Sequence, residues 1–566
     1  MQRDGIQMTF ELARELAPSS WEGEHGEVFT RRWVVELILN LVGYTADRDL
    51  ATMTAVEPSC GAGAFLGPMV ERLVASCVLH NRRIEDSARA LRAFDLLESN
   101  AELARKNVTA QLVGGGAGLL DAEELAAQWV TAGDFLLLPH SERSADFVLG
   151  NPPYIRLENL PADRNAAYRR ACPTMRGRSD IFVGFIELGL RLLKSDGALG
   201  FIVADRWMRN QYGAALRVLV AEQFSIDAVI EVHDVDAFED EVSAYPAVTV
   251  IRRQQQTTPI VASTTGSFGE RDAKLLQQWA LKRSTKPLVL PSVHAAQLPG
   301  WFSGAESWPS ATPEQLTVLA DLEKRCPPLE DPLTGTRIGI GLATGADDIY
   351  LTRDPSAVEP ERLLPLVMAK DLASGRVAWS GTYLVNPWDD EGLVDIDEWP
   401  LLRAYLERHG KRVRARHTAS KSPARWYKTI DRMTPGLLAR PKLLLPEMKS
   451  SAHPVLDEGD YYPHHNLYHV TSTGWDLEVL GGLMLSEVAN LFVGAYCVKM
   501  RGGTYRFQAQ YLRRIRVPVA ESMRRADKKA LANAFAQRDV EAATAITLRL
   551  YGIADVPDRM VASAVA

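Results

Sequence analysis

Apolar, β-branched runs alternate with amphipathic stretches along roughly the first 250 residues of the chain. The runs that predict strands are 54–58, 91–95, 145–151, 198–204, 226–232 and 247–253. Between them, segments such as 181–194 and 212–224 carry apolar residues at helical spacing. This alternation predicts an α/β domain with a mostly parallel sheet that helices cover on both faces. Ligands of such sheets bind beyond the carboxyl ends of the strands.

The alternation of strands and helices breaks after residue 255. Residues 256–290 begin with a polar stretch rich in Gln and Thr, and we expect them to form a linker or a loop-rich crossing. From 291 to 520, prolines, tryptophans and glycines are frequent and strand-like runs are short, which indicates a second, α+β domain. Residues 521–566 predict a helical tail by pattern and propensity. The first domain is therefore expected to occupy 1–255.

Composition adds four constraints. Of the 566 residues, 46% are hydrophobic and 24% are charged, which is typical of a globular protein. No apolar run reaches the roughly 18 residues of a membrane span, so no membrane segment is expected. The N-terminus carries acidic residues and lacks the long apolar stretch of a secretory signal. The 5 cysteines are scattered without a CxxC pair, which favours a reducing cytoplasm and argues against structural zinc.

The charge of the chain is unevenly distributed. The formal net charge is −7, yet Leu401–Ser450 holds 13 Lys and Arg against 3 Asp and Glu, a local +10. From Lys499 to Ala520 there are 6 basic residues and no acidic one. A cationic region on an otherwise acidic protein is expected of a surface that binds phosphates. Charge alone leaves a second interpretation open, that of solvated basic helices.

The segment EPSCGAGAFL (57–66) follows the first predicted strand and opens a helix. Gly61 and Gly63 allow the backbone to approach a ligand closely, and the start of the helix offers free N–H groups. The spacing is not that of a dinucleotide loop. Glu57 at its start suits a ligand with a positive centre rather than a pyrophosphate. The alternative is a structural turn between strand and helix.

Two further acidic residues lie near predicted strand ends. Asp95 ends the second predicted strand, where an acid accepts hydrogen bonds from ribose hydroxyls in nucleoside-binding sheets. Its alternative role is that of an acid favoured at the start of a helix. Asp134 precedes Phe135, and such a pair can bond an exocyclic amine and cover the face of an adenine.

The motif Asn151-Pro152-Pro153-Tyr154 comes directly after the strand-like run ADFVLG. Two consecutive prolines cannot extend a central strand and fix the chain in an extended turn. This turn presents the Asn151 amide oxygen and a backbone carbonyl outward, and the two acceptors can bind both hydrogens of a planar NH2 group. Tyr154 can stack on the ring that bears the amine. The alternative is a proline turn without a catalytic role.

These motifs, in this order and spacing, resemble those of S-adenosylmethionine-dependent N6-adenine methyltransferases. The matching segments are EPSCGAGAFL (57–66), FDLLES (94–99), GDFL (133–136) and NPPY (151–154). Upstream, GEVFTRRWVVELILNLV (26–42) is similar to the N-terminal motif of the gamma class, typified by the TaqI DNA methyltransferase. In that class a target-recognition domain follows the catalytic domain.

The resemblance covers about residues 20–255 and is looser beyond them. There, 337–352 and the basic segment 505–519 are similar to parts of recognition domains of restriction–modification methyltransferases. The resemblance implies a Rossmann-like class I methyltransferase domain with a seven-stranded sheet, followed by an α+β target-recognition domain. It also implies S-adenosylmethionine as the cofactor.

The resemblance assigns cofactor contacts to residues of the matched motifs only. These are Thr30, Glu57, Pro58, Ser59, Gly61, Gly63, Asp95, Leu96, Asp134 and Phe135. Among them, Thr30 and Glu57 are expected to meet the methionine part, and Asp95 the ribose. Leu96 would touch the adenine, whose amine Asp134 would bond.

The resemblance also assigns the catalytic residues. These are Asn151, Pro152, Pro153 and Tyr154. Asn151 and the Pro152 carbonyl would hold the target N6, and Tyr154 would stack on the target base. A late motif of the family supplies a second aromatic ring; Phe238 is our choice, and Tyr245 is the alternative because this segment carries extra residues.

The resemblance implies methylation of a flipped adenine in duplex DNA by the modification component of a restriction–modification system. Basic residues expected to contact the DNA are Lys411, Arg412, Arg414, Arg416, Lys421, Arg425, Lys428, Arg501 and Arg506. Alternatives are an RNA N6-adenine methyltransferase, a protein glutamine methyltransferase and a non-catalytic DNA-specificity module. Protein glutamine enzymes are shorter and lack a large basic C-terminal domain.

Three further expectations complete the sequence analysis. No metal is expected, because His464, His465 and His469 lack a nearby Cys or acidic frame; a DNA-facing or packing role is assigned to them instead. The short segment before the upstream motif cannot hold a nuclease core, so cleavage is expected from a separate endonuclease. A monomer acting in the cytoplasm is the favoured state.

Overall fold

The chain folds into two compact units, which this computed structural model describes over residues 29–239, 245–499 and 504–557. The first unit runs to Thr317 and the second begins at Val318. The motifs that resemble a methyltransferase all belong to the first unit, and the strongly basic segment belongs to the second.

The first unit is built on a sheet of 10 strands. Their bounds are β1 Ala55–Glu57, β2 Leu91–Asp95, β3 Val130–Ala132, β4 Ala145–Gly150, β5 Leu193–Ala204, β6 Ser225–Glu231, β7 Pro246–Arg252, β8 Ile260–Thr264, β9 Leu288–Leu290 and β10 Val293–Gln297. Their order is β3-β2-β1-β4-β5-β7-β6-β8-β10-β9. Strands β1 to β5 pair in parallel, and β7 is antiparallel to both of its neighbours.

The strands are nearly continuous apolar runs because helices cover the sheet on both faces. Side chains alternate between two cores, so Phe147 and Leu149 belong to one and Val148 to the other. The helices are Arg32–Val42, Leu66–Leu79, Glu98–Gly114, Leu119–Trp129, Ala162–Ala171, Phe182–Leu192, Arg206–Arg209, Ala214–Gln223 and Glu270–Leu281. A further helix, Pro313–Arg325, contains the boundary between the units.

The fold class agrees with the expected one, and two details differ. Strands β1 to β7 form the expected seven-stranded arrangement, but β8, β10 and β9 extend it beyond β6. The expected linker at 256–290 instead holds β8, the helix Glu270–Leu281 and β9. The apolar run of β8 pairs in parallel with β6, so this stretch completes the sheet and the first unit continues to Thr317.

The second unit contains three small sheets and short helices. Its strands are Arg337–Ile340, Leu351–Thr352, Leu363–Val367, Tyr383–Val385, Lys442–Pro446, Met448–Lys449, Val455–Asp457, Tyr462–Pro463, Leu467–Thr471, Val498–Lys499 and Tyr505–Arg506. Its helices are Asp347–Tyr350, Pro400–Arg408, Gly410–Arg414, His417–Ser420, Leu477–Leu485, Glu487–Tyr496, Ala509–Leu512, Arg525–Gln537 and Val540–Tyr551. The last two lie in the expected helical tail and pack inside this unit, where Leu485 contacts Ala534 and Ala543.

Lys442 is fully buried, and its ammonium pairs with Asp457 at 2.6 Å and donates to backbone carbonyls, that of Arg440 at 3.0 Å among them. Within the described residues no single helix is long and apolar enough to cross a membrane. Leu477–Leu485 and Glu487–Tyr496 are sufficiently apolar only as a pair, and they bend by 65° at their junction.

Candidate active site

The glycine loop lies between β1 and the helix Leu66–Leu79, at the carboxyl edge of the sheet. Gly61 and Gly63 have φ angles of +49° and +100°, in the left-handed region that favours glycine. The Gly61 amide donates to Asp95 Oδ2 at 2.8 Å. Asp95 Oδ1 accepts from the Leu97 amide at 2.9 Å, so this carboxylate joins the glycine loop to the end of β2.

Glu57 ends β1 and is buried, with 1% of its surface exposed. Its Oε2 has no hydrogen-bond partner among the described residues. Burial, and then the nearby Asp95 carboxylate, raise the pKa of Glu57 well above its ordinary value. A buried carboxylate is costly unless a cation pairs with it, so this arrangement suits a positively charged ligand.

The Asn151-Pro152-Pro153-Tyr154 corner follows β4. Asn151 Nδ2 donates to Thr30 Oγ1 at 3.2 Å, which directs the amide oxygen away from Thr30. Ser59 Oγ donates to the Asn151 carbonyl at 3.2 Å and ties the corner to the glycine loop. Three motifs that are distant in sequence therefore meet at Asn151.

Two aromatic rings border this corner. Tyr154 lies edge-on to Phe238 with 6.5 Å between ring centroids, and its hydroxyl donates to the Ile202 carbonyl at 3.3 Å. Phe238 is also bridged to Thr30 through the backbone. Tyr245 instead contacts His233, with 5.2 Å between ring centroids. The arrangement favours Phe238 over Tyr245 as the second ring.

Asp134 and Phe135 follow β3. Asp134 Oδ2 accepts a hydrogen bond of 2.7 Å from Tyr168, and its Oδ1 accepts from the Leu136 amide at 3.1 Å. Burial raises the pKa of Asp134, while Tyr168 and the charge of Arg164 oppose that shift. Phe135 is stacked on Phe185 at a centroid distance of 5.5 Å. The pair offers an acceptor beside an aromatic wall.

One cavity connects these groups. The predicted residues that line it are Thr30, Glu57, Pro58, Ser59, Gly61, Asp95, Leu96, Asp134, Phe135, Asn151 and Pro153. Gly63, Pro152 and Tyr154 belong to the same loops but are not part of its lining.

Part of the cavity wall comes from the stretch after the proline corner and was not predicted from the sequence. These lining residues are Ile155, Leu160, Arg164, Tyr168, Ile181 and Phe185. Phe185 lies on the predicted helix 181–194, but its period places it only on an apolar face and does not distinguish a core from a cavity. Tyr168 carries no sequence signal, because its role depends on contact with Asp134.

The basic residues expected to bind DNA differ in their surroundings. Those exposed are Lys411, Arg412, Arg414, Lys421, Arg425 and Arg506. Arg412 pairs with Asp348 at 2.5 Å, and Arg414 lies 3.7 Å from the centre of the Trp426 ring. Arg416 donates to the carbonyls of Thr344 and Lys428, at 3.0 and 2.8 Å, so it also ties together the basic segment 401–450.

Lys428 and Arg501 are the other two residues expected to contact DNA. Lys428 is partly buried and donates to Ser422 Oγ at 3.2 Å. Arg501 lies outside the described residues.

Comparison with known proteins decides the family. Residues 75–238 match the family model described as Eco57I restriction-modification methylase. The type II methyltransferase M.XhoI of Xanthomonas vasicola is 41% identical, over 95% of this chain and 99% of the relative. The type II methyltransferase M.PaeR7I of Pseudomonas aeruginosa is 43% identical, over 93% of this chain and 92% of the relative. The chain belongs to the type II methyltransferase family.

The fold of this methyltransferase also occurs among solved structures. MmeI, a type IIL restriction-modification enzyme determined in complex with DNA, is similar with a TM-score of 0.55 and 12% identity, over 94% of this chain and 74% of that chain. Family membership confirms the resemblance seen in the motifs. S-adenosylmethionine is the methyl donor of this methyltransferase.

Proposed function

We propose that this methyltransferase transfers the methyl group of S-adenosylmethionine to the N6 amine of an adenine in duplex DNA, at a specific sequence. The cavity carries the proposal, because it joins the Asn151 corner to the acidic groups Glu57, Asp95 and Asp134. Donor and acceptor sites are thus continuous at the carboxyl edge of the sheet, where such folds bind ligands. Relatives of the chain are named type II methyltransferases, which supports a role in restriction–modification.

The residues of the cavity fit the cofactor. The unpartnered carboxyl oxygen of Glu57 suits the methionine ammonium, and Asp95 lies where a ribose is bound. Asp134 and Phe135 offer an acceptor and a ring face for the adenine. Bound there, the cofactor supplies a sulfonium methyl group that is already a strong electrophile, so the chain contributes mainly alignment.

Asn151 and the Pro152 carbonyl are assigned to the acceptor nitrogen. The bond to Thr30 fixes the Asn151 amide, so its oxygen and the carbonyl can accept both N6 hydrogens. These bonds draw the nitrogen lone pair out of conjugation and raise its nucleophilicity. The amine loses its proton after the methyl group arrives, so no strongly basic residue is needed.

The target amine is inaccessible inside a duplex, so we infer that the adenine is flipped out of the helix. Unstacking costs a few kcal/mol, which stacking against Tyr154 and Phe238 offsets. In the structure the two rings meet edge to face, so the base enters between them after one ring turns.

We assign the DNA-binding surface to the exposed basic residues of the second unit. Phosphate contacts from such residues position a duplex and make its affinity dependent on salt. Relatives of the chain are named as methyltransferases, which supports a separate endonuclease partner. Duplex DNA as the substrate would place the enzyme in the cytoplasm.

The proposal is tested by incubating the purified chain with labelled cofactor and, in parallel, duplex DNA, RNA or protein. We expect label in duplex DNA alone and N6-methyladenine after digestion to nucleosides. Asn151→Ala should lose transfer but bind S-adenosylhomocysteine as the wild type does. The matched control is Asn159→Ala, which changes an exposed asparagine outside the cavity lining. Label in RNA or protein, another methylated base, or normal turnover by Asn151→Ala would contradict the proposal.

A further inference from the structure

Two adjacent histidines of the second unit turn toward one carboxylate. His464 Nε2 lies 3.0 Å from Asp347 Oδ2, and the rings of His464 and His465 are 4.0 Å apart at their centroids. One donor atom from each of the three residues lies within 4.8 Å of the other two. Consecutive side chains of an extended strand point to opposite sides, so this convergence requires the turn that begins here.

The backbone around the two histidines is held firmly. The His464 amide donates to the Val367 carbonyl at 3.0 Å, and the His465 amide donates to the Leu342 carbonyl at 3.1 Å. Gly341 permits this close approach, because a Cβ there would lie 2.2 Å from the His464 carbonyl oxygen. The backbone positions of both histidines are therefore set by the fold.

The hydrogen bonds of the protein leave this cluster incomplete. His464 is only 3% exposed, and its Nδ1 is buried without a partner among the described residues. The Nδ1 of His465 is likewise buried and unpartnered. A neutral imidazole has one ring nitrogen without a hydrogen, and that nitrogen can give its lone pair to a metal ion, so both histidines can act as ligands. Asp347 Oδ1 accepts a hydrogen bond of 2.5 Å from Thr344 Oγ1, which orients the carboxylate.

We propose that Asp347, His464 and His465 bind a divalent transition metal, with zinc as the ion that best fits their chemistry. Two imidazole nitrogens and one carboxylate oxygen are a donor set that zinc favours. Magnesium prefers oxygen ligands and suits the cluster poorly. The hydrogen bond from Thr344 orients Asp347 in the way that outer partners orient metal ligands. Three protein ligands leave a coordination position for water.

The site revises the expectation that no metal binds, which rested on the lack of an acid near the histidines. The acid comes from Asp347, 117 residues before His464. A metal there would fix the segment around Thr344, whose carbonyl accepts a hydrogen bond of 3.0 Å from Arg416 of the basic segment. The inference does not depend on the proposed methyl transfer.

The test is a zinc titration of the full chain after dialysis against a chelator, in competition with a chromophoric chelator. We expect one zinc ion per chain and a rise in the melting temperature, with no such rise for magnesium. His465→Ala and Asp347→Asn should each weaken zinc binding by at least about tenfold. The matched control, His417→Ala, changes an exposed histidine of the same unit and should bind zinc as the wild type does.

Melting temperatures measured without metal show whether each variant is folded. If His465→Ala does not fold, Asp347→Asn decides the outcome. The proposal is overturned if the wild type binds no stoichiometric zinc. It is also overturned if a folded variant of either ligand keeps wild-type affinity, since zinc would then bind elsewhere. Metal content measured by mass spectrometry gives a second, activity-independent reading of the same outcomes.

Discussion

Affinity for the cofactor is expected to rise with pH, because Glu57 must give up a proton when the ammonium binds. Burial and the Asp95 carboxylate raise the pKa of Glu57 in the cofactor-free protein. An ammonium at its unpartnered oxygen would favour the ionised form. Between the low pKa of the complex and the raised pKa of the free site, binding therefore releases a proton.

The size of the effect follows from this linkage. In that pH interval, affinity increases up to about tenfold per pH unit, or about 1.4 kcal/mol, and it levels off above the raised pKa. Stability of the cofactor-free protein has the opposite dependence. A carboxyl group whose pKa is raised by folding contributes its full stability below its unfolded pKa, and that contribution is lost as pH rises through the folded pKa. Binding of the cofactor ammonium to ionised Glu57 should restore this contribution to the free energy of unfolding.

Calorimetric titration with S-adenosylhomocysteine, which carries the same ammonium, measures both quantities. The experiment uses buffers of different ionisation enthalpy below about pH 7.5, since a free α-amino group loses its own proton near 7.7–8.0. We expect proton release with the wild type and none from this site in Glu57→Gln, which should bind more weakly and with less pH dependence. The variant also separates Glu57 from other groups that exchange protons when the ligand binds. A wild type whose affinity rises nowhere between the ordinary glutamate pKa of about 4.3 and pH 7.5 would refute the reasoning.

Three further predictions concern other contacts. Tyr168→Phe removes a hydrogen bond to Asp134 and should weaken S-adenosylhomocysteine binding by about tenfold. The inosine analogue lacks the adenine amine, so its affinity should fall less. Equal losses for the two ligands would contradict the assignment of Asp134 to the amine. Lys421→Ala should lower the salt dependence of DNA binding by about one unit of slope, whereas Lys106→Ala, an exposed change in the first unit, should not. Asp457→Ala leaves a buried ammonium unpaired and should cost about 3 kcal/mol in urea unfolding; a loss under about 1 kcal/mol would show that the carbonyl contacts suffice.

Much of the first unit could be predicted from local sequence, because its strands are short apolar runs and its motifs lie at strand ends. The predicted strand 91–95 matches β2, and 226–232 lies within one residue of β6. The region 256–290 was misjudged because its polar start resembles a linker. The apolar run of β8 gains its meaning only from pairing with β6.

Contacts between distant residues account for what the sequence could not predict. Tyr168 bonds Asp134 from 34 residues away, and His464 meets Asp347 across 117. Neither pair has a characteristic spacing. Most residues of the recognised motifs were correctly expected at the cavity. The residues that complete its wall also line it, but the sequence did not predict them.

Glu57 and Asp95 both line the cavity, but the protein satisfies their carboxyl groups differently, and this difference can be tested. Asp95 accepts hydrogen bonds from the amides of Gly61 and Leu97, whereas Glu57 Oε2 has no partner among the described residues. Asp95 therefore stabilises the empty protein as well as the proposed complex, and Glu57 stabilises only the complex.

Asp95→Asn replaces one acceptor oxygen by an NH2 group, so a backbone amide at Gly61 or Leu97 loses its bond. We expect a loss of about 1–3 kcal/mol in the free energy of unfolding without cofactor, together with weaker binding. Glu57→Gln should weaken binding without lowering that stability, and above the raised pKa the variant should be more stable than the wild type. Equal destabilisation by both changes would mean that Glu57 also has a structural role and that its burial is not kept for a cationic ligand.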